Sequence, residues 1–82
     1  MTRDELRALI ISELNNIAPE SDAAAIDPAA DLREALDIDS LDFLNFLSAL
    51  HKKTGVNVPE SDYAKLLTLE RALNYMEGKL HG

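Results

Sequence analysis

Few side chains in this sequence could act as a nucleophile or base, because it holds two histidines and no cysteine. Ser40 and His51 fall on one predicted helix, where a rise of 1.5 Å per residue puts them about 16 Å apart. That separation excludes a nucleophile–base pair. His81 is expected in the terminal tail. Asp37-Ile38-Asp39-Ser40-Leu41-Asp42 begins like a calcium loop, but Asp42 stands where the turn glycine is required and Ser48 where the closing glutamate is required. Gly55, Gly78 and Gly82 are dispersed, so there is no glycine-rich phosphate loop. With no cysteine, neither disulfides nor thiolate metal ligands are possible, and any thiol chemistry must come from something attached to the chain. The inventory argues against an enzyme.

Ser40 is the residue left to explain. It lies at a predicted helix start, with Asp39 before it and Leu41-Asp42 after it. Serine at a helix N-cap is ordinary, and Asp-Ser-Leu alone is a short signal. Leu41 is less ordinary, because helical spacing puts it on the polar face, exposed beside a hydroxyl and flanking acids, as a recognition point would be. The charge distribution marks the same place. The chain has eight basic and fifteen acidic residues, for a net charge of −7. Residues 27–48 contribute six of the acids (Asp27, Asp31, Glu34, Asp37, Asp39 and Asp42) and a single base, Arg33. Such a surface repels nucleic acid and anionic membranes and suits a basic protein partner. The longest aliphatic run, Ala8-Leu9-Ile10-Ile11, is too short for a signal peptide core or a membrane span, so a soluble cytoplasmic protein without membrane insertion is expected.

The elements that must position Ser40 can be read from spacing. Eighty-two residues allow one domain, residues 1–82. Thr2 and Glu5 form a capping box, Met1 and Leu6 stand at staple positions, and Leu6, Leu9, Ile10, Leu14 and Ile17 recur with helical period. A helix over about residues 3–16 follows, ended by Ala18-Pro19. Residues 18–38 lack sustained periodicity and form a long loop, with Ile26, Leu32 and Leu36 as apolar pins and a short helical turn after Asp27-Pro28. The second main helix starts at Asp39-Ser40, either of which can cap it, and stops at Gly55. Its apolar face is Phe43, Leu44, Leu47 and Leu50 with Phe46 on the flank; Leu41, Asp42, Asn45, Ser48 and Lys52 lie opposite. Val56-Asn57-Val58-Pro59 reads as an extended connector. A short helix over about residues 61–66 precedes a last helix capped by Thr68, with Leu69, Ala72, Leu73, Met76 and Leu80 as its stripe. The fold class is all-α: a small helical bundle of three main helices plus one short helix, with a long loop between the first two main helices.

Taken together, these features resemble the acyl carrier protein family. The resemblance is carried by Leu36-Asp37-Ile38-Asp39-Ser40-Leu41-Asp42, Gly55-Val56-Asn57-Val58-Pro59, Lys65 and Thr68-Leu69, without a gap from about Leu32 to Leu69. It implies that a phosphopantetheinyl transferase attaches 4′-phosphopantetheine to Ser40 through a phosphodiester. The arm's thiol then carries an acyl group as a thioester, and the protein itself catalyses nothing. It also implies a monomeric carrier recognised by acyl-loading and acyl-processing enzymes with basic patches. The recognition surface would comprise Asp37, Asp39, Leu41, Asp42, Asn45 and Ser48. Leu32, Phe43, Leu47, Leu50, Tyr63 and Leu66 would line the acyl pocket.

Some residues depart from the fatty-acid-synthesis pattern, which has glycine at the position of Asp37 and small residues at those of Phe43 and Tyr63. That pattern has acids further along the recognition helix, where this chain has Asn45, His51, Lys52 and Lys53, and a hydrophobic contact where it has Ser48. The departures point to a specialised acyl carrier. Two other readings remain open at this stage: a peptidyl, aminoacyl or aryl carrier, and a small acidic helical adaptor in which Ser40 only caps a helix.

Overall fold

The computed structural model describes residues 1–81. Helix α1, Arg3–Ile17, begins with the expected capping box: Thr2 Oγ1 accepts from the Glu5 amide at 3.1 Å, and Glu5 Oε1 accepts from the Thr2 amide at 2.9 Å. These bonds hold the Glu5 carboxyl below its ordinary pKa, the bond from the Thr2 backbone being the larger cause. Leu6, Ile10 and Leu14 are buried, one helical turn apart, and Glu13 is buried beside them. Arg3 Nη1 reaches Asn74 Oδ1 at 3.1 Å and Glu77 Oε2 at 3.2 Å, joining the start of α1 to the last helix.

The segment after α1 is pinned at several points. Asn15 Oδ1 accepts from the Ala23 amide at 3.0 Å, and a short 3₁₀ turn, Ala23–Ala25, is capped by Asp22. The helical turn expected after Asp27-Pro28 does not form. Asp27 Oδ1 takes the Ala29 amide and the Asp27 carbonyl takes the Ala30 amide, closing a single turn. Asp31 follows at once and caps a helix of its own, α2, Leu32–Ala35.

Helix α3, Ser40–Thr54, ends at Gly55, whose φ of 76° is the left-handed conformation that glycine adopts without strain. Its buried face corrects the sequence reading. Phe43, Phe46, Leu47 and Leu50 are buried, whereas Leu44 is 42% exposed. At 100° per residue, positions 43, 46, 47 and 50 share one stripe and position 44 lies well to its side. The Phe43 and Phe46 rings pack 6.1 Å apart, tilted by 41°.

A second correction concerns the short helix before the last one. It is a 3₁₀ segment, Glu60–Leu66, one residue longer than expected and without a side-chain cap behind Pro59. A segment this short gains few intrahelical bonds, so tertiary contacts decide its form. Leu66 is fully buried, and Asp62 Oδ2 accepts from the Tyr75 hydroxyl at 2.8 Å. Helix α4, Leu69–His81, has the expected cap, with Thr68 Oγ1 accepting from the Arg71 amide at 3.0 Å. It runs through His81, where a tail is expected from sequence. Leu69, Ala72, Leu73 and Met76 are buried and Leu80 is half-buried.

α1 packs against both α3 and α4, and α4 packs against Glu60–Leu66. The long first loop is clasped to the approach to α4: the Leu32 amide donates to the Leu67 carbonyl at 2.7 Å, and the Glu70 amide donates to the Pro28 carbonyl at 3.0 Å. Asp31 and Thr68 form an isolated antiparallel bridge in this clasp. The result is the expected all-α bundle of three main helices with short helical segments in the connections.

Candidate functional site

Ser40 is the first residue of α3, and the structure gives the cap to its neighbour. Asp39 Oδ1 accepts from the Asp42 amide at 2.9 Å, and Asp42 Oδ2 accepts from the Asp39 amide at 3.4 Å. The Asp39–Asp42 capping box leaves the Ser40 hydroxyl exposed and without a hydrogen bond among the described residues.

The chain reaches Ser40 through a tight reversal. The Ile38 amide donates to the Arg33 carbonyl at 3.0 Å and the Asp37 amide donates to the Glu34 carbonyl at 3.4 Å, the pair of bonds that closes a Schellman motif. Such a motif needs a left-handed residue after the helix, and Asp37 supplies it with a φ of 53°. Glycine is the usual occupant; aspartate is among the few other residues that enter this region readily.

All six residues expected to form a recognition surface lie around this point. Asp37, Asp39, Leu41, Asn45 and Ser48 are exposed and Asp42 is half-buried. Leu41 is 66% exposed, as its face assignment required. Leu44, which the sequence reading placed in the core, joins it one turn on, giving an apolar pair on the outer side of α3. His51, also exposed, is a structural residue, because its Nδ1 lies 3.0 Å from the Val56 carbonyl oxygen and holds the connector after Gly55.

Beside Ser40 runs a groove of about 550 Å³, lined by Arg33, Ser40, Phe43, Leu44, Glu60 and Tyr63 among others. A smaller groove of about 250 Å³ continues along α3, sharing Leu44 and Tyr63 and adding Leu47 and Ser48. Three of the residues expected at an acyl pocket therefore line these grooves: Phe43 and Tyr63 the one beside the serine, and Leu47 the smaller one further along α3. The other three, Leu32, Leu50 and Leu66, are fully buried in the core and line neither groove. Arg33, Leu44 and Glu60 were not expected at the site. Only Arg33 had a sequence signal, as the lone base in the acidic stretch.

The far wall of these grooves is fastened from behind. Asp62 accepts from Tyr75 and is 3.2 Å from Lys65 Nζ, and these bonds, Tyr75 first, hold its carboxyl below the ordinary pKa. Burial, and then the bond to Asp62, pushes the Tyr75 hydroxyl up to about 12.

Comparison with known proteins covers almost the whole chain. Residues 4–76 match the family described as phosphopantetheine attachment site. The acyl carrier protein of Campylobacter jejuni subsp. jejuni serotype O:23/36 (strain 81-176) is 33% identical over 76 residues, covering 93% of this chain and 92% of that protein. The acyl carrier protein of Helicobacter pylori (strain G27) is 31% identical over 74 residues, covering 90% of this chain and 88% of that protein. That of Campylobacter hominis (strain ATCC BAA-381 / DSM 21671 / CCUG 45161 / LMG 19568 / NCTC 13146 / CH001A) is 34% identical over 74 residues, covering 90% of this chain and 87% of that protein.

The class defined by this match is that of carriers with a covalent 4′-phosphopantetheine. The chain belongs to the acyl carrier protein family. Its function is that of a carrier, which replaces the reading as an adaptor without a prosthetic group. Among the described residues no helix is long and apolar enough to cross a membrane.

Proposed function

We propose that Ser40 is the attachment point of the 4′-phosphopantetheine arm and that this single-domain chain is a non-catalytic acyl carrier serving a specialised pathway. The observation that carries the assignment is the division of labour at the start of α3. Asp39 takes the capping bond and Ser40 presents a free, exposed hydroxyl at the head of a groove. The hydroxyl fits a phosphodiester because no internal bond has to break for it to be modified. When bound, the arm supplies the thiol that holds an acyl group as a thioester.

The chain's own residues then do three things. Ser40 fixes the root of the arm. Asp37, Asp39 and Asp42, with exposed Leu41, Asn45 and Ser48, present a mixed acidic and apolar surface to the phosphopantetheinyl transferase and to acyl-loading and acyl-processing enzymes with basic patches. Phe43, Leu47 and Tyr63 offer apolar surface to the cargo in the grooves, while the filled core at Leu32, Leu50 and Leu66 leaves these grooves as its nearest shelter. As part of the same proposal, the carrier works as a cytoplasmic monomer.

The test is intact mass after incubation with coenzyme A and a broad-specificity transferase. The wild type should gain one phosphopantetheine and Ser40→Ala none. A Ser40→Ala protein that still gains the arm, or a wild type that never does, overturns the assignment.

A further inference from the structure

Among the described residues the groove beside Ser40 has one cation in its lining, Arg33, and its surroundings give it a role. Arg33 is the only base among residues 27–48, against six acids. Asp31 orients its side chain, with Nη2 3.2 Å from Oδ2 and Nε 3.4 Å from Oδ1. The same Asp31 Oδ1 accepts from the Arg33 backbone amide at 2.9 Å. Nη1 has no partner among the described residues. One edge of the guanidinium is thus fixed and the rest is available to an anion, a geometry suited to phosphate oxygens. Its carbonyl holds the Ile38 amide, so Arg33 is also tied to the reversal that leads into Ser40.

A phosphodiester on Ser40 places a new negative charge among Asp37, Asp39 and Asp42, with Glu60 lining the same groove. In the first turn of α3 the Asp39 side chain takes the Asp42 amide, while the Ser40 and Leu41 amides, without a partner among the described residues, remain to meet the phosphate beside a cationic side chain. Among the described residues Arg33 is the one cationic side chain lining this groove.

We propose that Arg33 is a positioning residue that pairs with the phosphodiester at the root of the arm and draws it toward the groove. The proposal rests on Ser40 being the attachment point. It is tested on the full chain in apo form and in holo form with a free thiol, as wild type, Arg33→Gln and Arg33→Lys. Three results are expected. The Arg33 side-chain Nε–H resonance of the wild type should move between apo and holo protein. The phosphorus NMR resonance should be displaced in holo Arg33→Gln and lie near the wild-type position in Arg33→Lys. Loading should lower the melting temperature of Arg33→Gln more than that of the wild type, the apo proteins accounting for loss of the Asp31 pair.

Unchanged resonances with equal effects of loading on melting overturn the proposal. So does an effect seen only when the arm carries a carboxylate-terminated cargo, since the paired anion would then be the cargo's. A failure at Ser40 itself is distinguishable, because the wild-type mass would not rise on loading; that result overturns both readings.

Discussion

Replacing Ser40 by alanine tests both the chemistry and the local fold, because the structure separates the two. If Ser40 capped α3, its loss would cost about 1 kcal/mol, within the usual range of about 0.5–2 kcal/mol for a cap. The cap is Asp39, which accepts from the Asp42 amide at 2.9 Å, and Ser40 is the first helical residue with no hydrogen bond to lose. Alanine is the better helix former by up to about 0.5 kcal/mol, so Ser40→Ala is expected to leave stability unchanged or raise it by that amount. Asp39→Ala loses the half of the capping box that its side chain makes, the bond accepted from the Asp42 amide, and should cost about 1 kcal/mol. In a domain of this size that lowers the melting temperature by about 4–8 °C. Urea and thermal melts of the two apo variants, followed by intact mass after transferase treatment, give the comparison. A Ser40→Ala protein that loses 1 kcal/mol or more while Asp39→Ala melts like the wild type would refute the assignment of the cap.

Asp37→Gly should stabilise the apo protein by about 0.5–1 kcal/mol by relieving a left-handed residue, whereas Asp37→Ala should destabilise it; denaturant melts decide, and equal midpoints would count against strain at φ 53°. Leu41→Ala, at a 66% exposed position, should change stability by less than about 0.5 kcal/mol yet slow transferase modification, whereas Phe46→Ala in the core should cost about 3–5 kcal/mol. The lowered pKa values of Glu5, Asp31 and Asp62 mean that their contribution to stability is complete above the ordinary carboxylate range and is lost as pH falls through the lower folded values. Tyr75, raised to about 12, contributes below its ordinary value of 10.0 and loses that contribution as pH rises to about 12, so Tyr75→Phe should remove the alkaline loss in a pH series of melts. Asn45→Glu with Lys52→Glu, leaving the His51–Val56 bond intact, should speed elongation by fatty-acid enzymes that read acids along this helix; no gain in rate would argue against a specialised carrier.

Local signals carried most of the fold. Thr2 with Glu5, Pro19, Asp39-Ser40, Gly55 and Thr68 mark helix ends by short-range hydrogen bonding or backbone geometry, and such signals are complete within a few residues of sequence. The exposure of Leu41 followed from spacing alone. Leu44 and Phe46 were harder, because a stripe of four apolar residues among five leaves the choice of flank to three-dimensional packing. The form of Glu60–Leu66 depends on the Tyr75–Asp62 bond and the burial of Leu66, neither of which is local. Asp37 was legible as an extra charge but not as a left-handed residue, because the motif that demands it is defined by carbonyls of α2. The place of Ser40 at the start of α3, beside an exposed leucine, was legible from its neighbours in sequence. Arg33 and Glu60 enter it from separate elements, through the loop clasp and the 3₁₀ segment.

The clasp between Leu32 and Leu67, with Pro28 and Glu70 beside it, joins stretches of chain more than thirty residues apart. During synthesis the serine emerges long before the residues that fasten the loop behind it. Helix α3 can form early from its own caps, but the floor and far wall of the groove wait for Leu66, Leu67 and α4. A nascent chain released before that point would present Ser40 without a groove, so the order of chain growth itself delays display of the complete site until α4 has been made.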